Sequence, residues 1–488
     1  MVVASKRKRL GAFYTPESVA KTLVRWVAPQ RSETLLDPSC GDGRFLAEHS
    51  SSFGVELDAG AASSALARAS HACVHVGDLF EWAEKTTKRF ECAAGNPPFI
   101  RYQRFSGSMR ARALQLCARF GVEFSSLTSS WAPFLAVTAS LLKQGGRMAF
   151  VVPAEIGHAP YAAPLVRYLA GRFARVQIVA VRDKVYPELS EDVWFLYAEG
   201  CGGKTDSLVI TERTRLSPMD SEPPARGRRV RLSEWESWNC RLRPFFLPAR
   251  ARELYRAFVD SDETVRMSEV AKVRIGYVTG ANEFFHLRPS EAARWRVPER
   301  CLLPTVRNSR ALPADCVSDA TINQWMERDD PVLLLRLGRE GRLPNSVVHY
   351  LDSPSGHQAR QSYKCRSRSP WYSVPDVRIP DGFLSYMSGI TPQLVINGAA
   401  CSCTNTVHAV DLVGRYAMST VQRMWRTPLT RLSCEIEGHP LGGGILKLEP
   451  REAARVLLAR PRLRLDDSEK EVIEGAVEML RRWRHSGA

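Results

Sequence analysis

Hydrophobic residues in the first part of the chain occur in short runs that are separated by amphipathic or polar segments. The runs that end near positions 36, 57, 76 and 94 have the length of strands, whereas apolar positions 19, 20, 23, 24 and 27 follow a helical period. A buried strand at 147–152 and a hairpin of 175–181 with 193–197 complete the set. This alternation predicts an α/β domain with a doubly wound sheet.

The loop after the first predicted strand runs from Asp37 through Ser39 to Gly43. Its two glycines, Gly41 and Gly43, would allow the backbone to approach a ligand closely at the carboxyl end of the strand. A third glycine of the dinucleotide-binding pattern is absent, because Leu46 stands at that position. We therefore expect a nucleoside-type ligand and not a dinucleotide.

The next two predicted strands end in acidic residues. The second ends in Glu56-Leu57-Asp58, where an acid could bind both hydroxyls of a ribose. The third is followed by Asp78, which could accept a hydrogen from an exocyclic amine, with Leu79 or Phe80 beside the ring. Together these strand ends predict a crevice for an adenosine-like cofactor.

The fourth predicted strand ends in Asn96-Pro97-Pro98-Phe99. The prolines fix φ and remove two backbone donors, so the carbonyls of Asn96 and Pro97 can face a cleft. Two acceptors beside the flat ring of Phe99 suit a planar group that carries an NH2. An ordinary turn at the end of a strand is the alternative.

The first predicted helix begins near Tyr14-Thr15-Pro16. Thr15 is expected to be the N-cap residue, with Pro16 at the first helical position. Such a helix N-terminus could hold a carboxylate, although a capped core helix explains the same residues.

These segments, in this order and spacing, resemble the gamma-class, TaqI-type N6-adenine DNA methyltransferases of restriction-modification systems. The resemblance covers roughly the first 200 residues and implies a Rossmann-like class I S-adenosylmethionine-dependent methyltransferase sheet. One departure is Phe99, where many members have tyrosine. Stacking by the ring face should survive this change.

The resemblance also implies a role for each residue of these motifs. The residues that would bind S-adenosylmethionine are Tyr14, Thr15, Pro16, Asp37, Ser39, Gly41, Gly43, Glu56, Asp78 and Phe80. The residues that would support methyl transfer are Asn96, Pro97, Pro98 and Phe99.

The composition favours a polyanionic partner. The chain has 68 Lys and Arg against 52 Asp and Glu, a formal charge of +16, and most of the cations are arginine. A GC-rich genome would produce the same arginine bias. Twelve cysteines without zinc spacing predict reduced thiols and no metal site. The lack of a long apolar run or secretory leader predicts a soluble, intracellular protein. The family resemblance implies a prokaryotic cytoplasm and association with the nucleoid.

The chain is predicted to have a catalytic domain at 1–204, a linker at 205–232 and a mixed α/β DNA target-recognition domain at 233–488. Arginines flank the catalytic turn, and a basic stretch rich in aromatics lies in the second domain. The candidate nucleic-acid contacts are Arg101, Arg104, Arg366, Arg368, Trp371 and Tyr372. A solvated helix face and a loop around a buried tryptophan are the structural alternatives.

The resulting hypothesis is transfer of a methyl group to the N6 amine of a flipped adenine in double-stranded DNA. RNA or protein-glutamine N-methylation uses the same type of turn, and a non-catalytic DNA-binding specificity subunit is a further alternative. The resemblance to restriction-modification enzymes also allows for a cognate restriction endonuclease that acts separately.

Overall fold

The computed structural model describes residues 15–186, 192–216, 222–339, 341–441 and 443–484. The chain divides into two compact units. The first comprises Met1–Pro248, Leu441–Gly443 and Arg482–Ala488, and the second comprises Ala249–Pro440 and Gly444–Arg481. Among the described residues, no helix is long and apolar enough to cross a membrane.

The first unit contains a nine-stranded sheet with the order β3-β2-β1-β4-β5-β7-β6-β8-β9. Strands β1 to β5 pair in parallel, and β7 lies antiparallel between β5 and β6. The strands are β1 Leu35–Asp37, β2 Ser52–Glu56, β3 Cys73–Val76, β4 Phe90–Gly95, β5 Leu142–Pro153, β6 Phe173–Val181, β7 Val193–Cys201, β8 Ser207–Arg213 and β9 Arg228–Arg231. The predicted hairpin of the sixth and seventh strands is confirmed.

Most of the described helices of this unit lie between successive strands, as parallel crossovers require, whereas the first precedes β1 and the last follows β9. They are α1 Glu17–Val27, α2 Ala59–Arg68, α3 Leu79–Lys85, α4 Gly107–Arg119, α5 Trp131–Ser140, α6 Ala162–Ala170 and α7 Leu232–Ser237. Two of them begin where a strand-end acid caps the helix: Asp58 accepts from the Ala61 amide at 3.0 Å and Asp78 from the Glu81 amide at 2.9 Å.

A large hydrophobic core of the first unit lies between α1 and the sheet. Leu23 and Val27 of α1 are fully buried with Phe195 of β7. The ring of Trp26 meets that of Tyr197 edge to face, with 6.3 Å between the ring centroids. Burial of this apolar helix face holds α1 against the sheet, so that its N-terminus has a defined place beside the strand ends.

The segment 205–232, predicted as a linker, instead contains β8 and β9. Strand β8 pairs in parallel with β6, and β9 pairs antiparallel with β8. The buried side chain of Gln177 donates to the Thr211 hydroxyl and to the Pro224 carbonyl, each at 2.8 Å. Proline and arginine suggested a linker, but the apolar residues of 207–210 add a strand to the sheet and the proline carbonyl is used as an acceptor.

The second unit is a mixed α/β assembly of small sheets. Five strands follow the order β11-β20-β16-β18-β14 and four follow β12-β15-β13-β19, while β10 pairs with β23 and β17 with β22. The strands are β10 Thr264–Arg266, β11 Ala271–Ile275, β12 His286–Leu287, β13 Leu302–Val306, β14 Cys316–Val317, β15 Leu333–Leu335, β16 Gly382–Ser385, β17 Met387–Ser388, β18 Leu394–Asn397, β19 Ser402–Cys403, β20 Val407–Leu412, β21 His439–Leu441, β22 Ile445–Lys447 and β23 Leu457–Ala459.

The remaining helices are short except for the last. They are α8 Ala249–Val259, α9 Met267–Val270, α10 Asn282–Phe285, α11 Pro289–Arg294, α12 Asp319–Glu327, α13 Asn345–Leu351, α14 Pro354–Arg360, α15 Tyr363–Arg366, α16 Met418–Trp425, α17 Pro428–Glu437, α18 Pro450–Ala453 and α19 Asp467–Arg482. Several separate hydrophobic clusters stabilise this unit.

Replacing Phe195 with alanine should lower the free energy of unfolding of the first unit by about 3–5 kcal/mol, because loss of a fully buried ring in the interior strand β7 would leave a cavity. Urea unfolding of the full chain, followed by hydrogen exchange of the sheet amides, measures the change. Leu66→Ala on α2, where the side chain is 42% exposed, is the control and should change stability by less than about 0.5 kcal/mol. Equal effects of the two substitutions would contradict this packing.

Candidate active site

The candidate site lies at the carboxyl edge of the first unit's sheet. Because β1 pairs in parallel with both β2 and β4, the residues that follow these three strands meet at one edge. The hydroxyl of Ser39, after β1, lies 3.4 Å from the carbonyl oxygen of Asn96, after β4. The structure therefore brings the predicted cofactor loop and the Asn-Pro-Pro-Phe turn together.

The loop after β1 is held by Glu56 at the end of β2. One carboxylate oxygen accepts from the Gly41 amide at 2.9 Å, and the other accepts from the Asp58 amide at 2.8 Å. Each oxygen keeps a further lone pair, so the acid is oriented and still able to accept hydrogen bonds. The Asp58 side chain caps α2, which leaves Glu56 as the acid that faces the loop.

Gly43 is required by packing as well as by backbone conformation. It has φ +84°, and a Cβ at this position would lie 2.7 Å from the Cα of Ala65 on α2. The cofactor loop can therefore lie directly on α2 only with glycine here.

Asp37 is a buried acid at the end of β1. It is 1% exposed, and its carboxylate accepts from the Ser39 amide at 3.1 Å. Burial raises the pKa of Asp37 to about 8, and the charges of Glu56 and Asp42 act in the same direction. A Cβ on Gly95 would lie 2.7 Å from the Asp37 oxygen, so glycine at the end of β4 permits this contact.

The Asn-Pro-Pro-Phe turn is fastened to the start of α5 by Ser130. The buried Ser130 hydroxyl donates to the Pro98 carbonyl and accepts from the Ile100 amide at 3.0 Å. The Ser130 amide donates to the Ile100 carbonyl at 3.0 Å. Three hydrogen bonds from one residue thus fix the exit of the turn.

A half-buried acid, Glu155, supports this fastening from behind. Glu155 accepts from the Trp131 indole at 3.0 Å and from the Tyr161 hydroxyl. Burial, and the nearby charge of Glu155, raise the pKa of Tyr161, which therefore keeps its proton for this bond. Because Trp131 begins α5, the network holds the helix start that carries Ser130.

The other side of the turn meets the segment before α1. The Asn96 amide nitrogen donates to the Tyr186 hydroxyl at 3.3 Å, and that hydroxyl donates to the Thr15 hydroxyl at 3.2 Å. Thr15 is therefore not the N-cap that we expected. Pro16 occupies the N-cap position with φ −53° and ψ 138°, and its carbonyl begins the helical hydrogen bonds.

The aromatic residues of the predicted site have different surroundings. Phe99 is half-buried and packs against the core cluster beneath α1. Phe80 is fully buried, with its ring 4.9 Å from that of Phe134, so it supports the site from behind and offers no exposed face. Asp78 is half-buried and caps α3. Tyr14 lies outside the described residues.

The arginines near the turn fall into two groups. Arg101 and Arg104 are exposed in the loop that follows it. In contrast, Arg112 pairs with Glu81 at 3.2 Å and Arg119 pairs with Glu84 at 2.7 Å, both on α3. The charges of the second group are therefore paired within the unit.

The candidate nucleic-acid contacts in the second unit also differ in their exposure to solvent. Arg366 is exposed on α15, whereas the guanidinium of Arg368 donates to the Val278 carbonyl at 2.6 Å, and burial lowers the pKa of Arg368. Trp371 packs against Phe284 with 5.8 Å between ring centroids, and half-buried Tyr372 lies against Trp371 at 6.0 Å. Arg368 and Trp371 hold this segment in place.

Sequence reasoning missed Ser130, Glu155 and Tyr186. Ser130 stands in a recognisable helix start, Ser129-Ser130-Trp131, but its partner is 32 residues earlier in the chain. Tyr186 follows β6 and is separated from Asn96 by 90 residues. No periodicity indicates such contacts. Among the described residues, no group of three or more His, Cys, Asp or Glu side chains is placed to hold a metal ion.

The sheet order, with antiparallel β7 between β5 and β6 and polar residues along the carboxyl edge, defines the class I S-adenosylmethionine-dependent methyltransferase fold. The family model "Type II methyltransferase M.Eco57I, C-terminal domain" matches residues 241–486, and the model "N-6 DNA Methylase" matches residues 1–156. The chain belongs to the Type II methyltransferase M.Eco57I C-terminal domain family, and the expected restriction-modification methyltransferase family is confirmed.

Two curated relatives match nearly the whole chain. Type II methyltransferase M.XamI of Xanthomonas campestris pv. amaranthicola is 27% identical over 473 residues, which cover 92% of this chain and 85% of the relative. Type II methyltransferase M.AccI of Acinetobacter calcoaceticus is 18% identical over 473 residues, with 91% and 84% covered.

A solved structure has a similar fold over most of the chain. It is the Type IIL restriction-modification enzyme MmeI in complex with DNA, with a TM-score of 0.57 and 14% sequence identity. The match covers 97% of this chain and 71% of the MmeI chain.

Replacing Asp37 with asparagine should flatten the pH dependence of stability between pH 3.8 and about 8. In this window the folded protein keeps a proton on Asp37 that the unfolded chain releases, so its contribution to stability is full below 3.8 and is lost as the pH rises to about 8. Urea unfolding midpoints of both proteins across this range give the slopes. Asp206→Asn, at an exposed position, is the control. Parallel slopes for the wild type and Asp37→Asn would contradict the raised pKa of Asp37.

Proposed function

We propose that this protein transfers a methyl group from S-adenosylmethionine to the N6 amine of an adenine in double-stranded DNA. The observation that carries the proposal is the placement of Asn96 at the end of β4, within 3.4 Å of the Ser39 hydroxyl in the cofactor loop. The match of the first 156 residues to N-6 DNA Methylase supports it, and the order of the motifs supports the gamma class.

The residues at the strand ends fit the proposed cofactor. Glu56 is oriented by two backbone amides and keeps lone pairs for the ribose hydroxyls. The backbone at Gly41 and Gly43 allows the cofactor to approach closely. Asp37 and Ser39, which lie beside these glycines, would contact the methionine part of the cofactor. Thr15 and Pro16 would also lie near this part. The half-buried carboxylate of Asp78 suits the adenine amine. S-adenosylmethionine supplies an electrophilic methyl group on a sulfonium.

The turn can activate an adenine amine without a strong base. The nitrogen lone pair of this amine is delocalised into the ring, which makes it a poor nucleophile. If the Asn96 side-chain oxygen and the Pro97 carbonyl each accept one hydrogen, the nitrogen is drawn towards tetrahedral geometry and its lone pair becomes available. Catalysis then consists of positioning and of stabilising the positive charge that develops on nitrogen.

The substrate base must leave the stack to reach this turn. The half-buried ring of Phe99 provides a face that offsets part of the unstacking cost. The exposed charges of Arg101 and Arg104, in the loop after the turn, suit backbone phosphates beside the flipped base. The exposed charge of Arg366, in the second unit, suits a phosphate of the same DNA. Half-buried Tyr372 adjoins the same basic segment. Protection of cellular DNA from a separate cognate endonuclease, in a prokaryotic cytoplasm, is the biological role that we propose.

Incubation of the purified protein with labelled S-adenosylmethionine and duplex DNA should place the label on the N6 position of adenine. Asn96→Ala should reduce methyl transfer by at least about 100-fold, because it removes the side-chain oxygen that accepts a hydrogen bond from the substrate amine in the transition state. Cofactor affinity, measured by calorimetry, should be nearly unchanged. Label in RNA or glutamine, and none in DNA adenine, would disprove the proposed substrate; full transfer by Asn96→Ala would disprove the mechanism.

Arg104→Ala should weaken DNA binding and lower the slope of log affinity against log salt by about 1, as expected for one lost phosphate contact. Fluorescence anisotropy with duplex DNA at several salt concentrations measures both quantities. Arg119→Ala is the matched control because Arg119 is already paired with Glu84. A salt slope that falls equally in both variants would argue against a phosphate contact by Arg104.

A further inference from the structure

The catalytic turn is linked to the segment before α1 by a chain of three side chains. Tyr186 follows β6 and is 8% exposed, and its hydroxyl accepts from the Asn96 amide nitrogen at 3.3 Å. The same hydroxyl donates to the Thr15 hydroxyl at 3.2 Å. These contacts come from three separate parts of the first unit.

A phenol hydroxyl has one proton, and this fact determines how Asn96 can be oriented. Since the Tyr186 proton is directed to Thr15, the Tyr186 oxygen presents lone pairs to Asn96. The amide nitrogen of Asn96 can donate to these lone pairs, whereas its carbonyl oxygen would be repelled. Burial raises the pKa of Tyr186, so the hydroxyl remains protonated and the direction of the chain is preserved.

We propose that Tyr186 is a positioning residue that fixes the orientation of the Asn96 carboxamide through Thr15. With the nitrogen turned towards Tyr186, the carboxamide oxygen is directed to the opposite side, where it can accept from the substrate amine. This inference rests on the proposed role of Asn96 as an acceptor. Since Phe99 has no hydroxyl, Tyr186 supplies the phenol at this turn.

The same chain connects the turn with the cofactor loop. The Thr15 carbonyl accepts from the Arg44 guanidinium at 2.8 Å, and Arg44 pairs with Asp42 at 3.1 Å. Asp42 also pairs with Arg68 of α2 at 3.1 Å. The orientation of the catalytic amide is therefore tied to residues of the loop that is proposed to bind the cofactor.

Tyr186→Phe should lower kcat about tenfold, the effect of one lost neutral hydrogen bond, and leave KM for DNA and for the cofactor unchanged. Tyr197→Phe is the matched control, because Tyr197 lies in the same hydrophobic cluster but donates to Glu199 at 2.8 Å. Thr15→Val should lower kcat, because the freed Tyr186 proton can then turn towards Asn96 and favour the reversed amide.

A measurement that does not depend on activity separates this inference from the proposed function. In protein labelled with nitrogen-15 asparagine, the Asn96 side-chain resonance, assigned by its loss in Asn96→Ala, should shift and its protons should exchange faster in Tyr186→Phe. Tyr197→Phe should not change it. An unchanged resonance, or equal kcat values for the two tyrosine variants, would overturn the positioning role even if the wild type methylates adenine. Conversely, a shifted resonance in a protein without adenine transfer would support the orientation and defeat only the proposed function.

Discussion

The parallel pairing of β1 with β2 and β4 is the constraint on which the rest of the first unit depends. Parallel strands end at the same edge, so residues far apart in the chain become neighbours there. Two glycines permit close approach at this edge: Gly95 lies against the side chain of Asp37, and Gly43, in the loop after β1, lies against α2. A side chain at Gly95 would meet Asp37, and one at Gly43 would displace the cofactor loop from α2. The chemistry of the site is thus limited first by steric fit and only then by charge.

The Asn-Pro-Pro-Phe turn cannot fasten itself, because its two prolines have no backbone donors. Side chains from other segments hold it on both sides. Ser130 binds the Pro98 carbonyl and the Ile100 amide, and Tyr186 receives the Asn96 amide. Glu155 in turn anchors the helix start that carries Ser130. A rigid turn with external supports is preorganised, so little reorganisation is needed when charge develops on a substrate nitrogen.

The distribution of arginines separates structural from interfacial charge. Arg112 and Arg119 form ion pairs with the two glutamates of α3. Arg368 donates a hydrogen bond to a backbone carbonyl within the second unit. Arg101, Arg104 and Arg366 remain exposed. Some of the 68 Lys and Arg side chains are therefore engaged within the fold, and the total overstates the number of cations that can meet a polyanion. Position in the fold, and not residue type, decides which arginines are available.

The sequence by itself determined strands β1 to β7 of the first unit, the order of the motifs and the residues at each of the first four strand ends, because period, turn chemistry and spacing are local properties. It did not reveal that 205–232 joins the sheet, that Thr15 is a hydrogen-bond partner of Tyr186 and not a cap, or that Phe80 is fully buried. Ser130 and Tyr186 were missed for the same reason. Their partners lie 32 and 90 residues away along the chain. They are brought together only by the packing of α1 and α5 on the sheet that contains β6. Tertiary structure decides such contacts, since no local pattern shows which distant hydroxyl group will lie against the Asn-Pro-Pro-Phe turn.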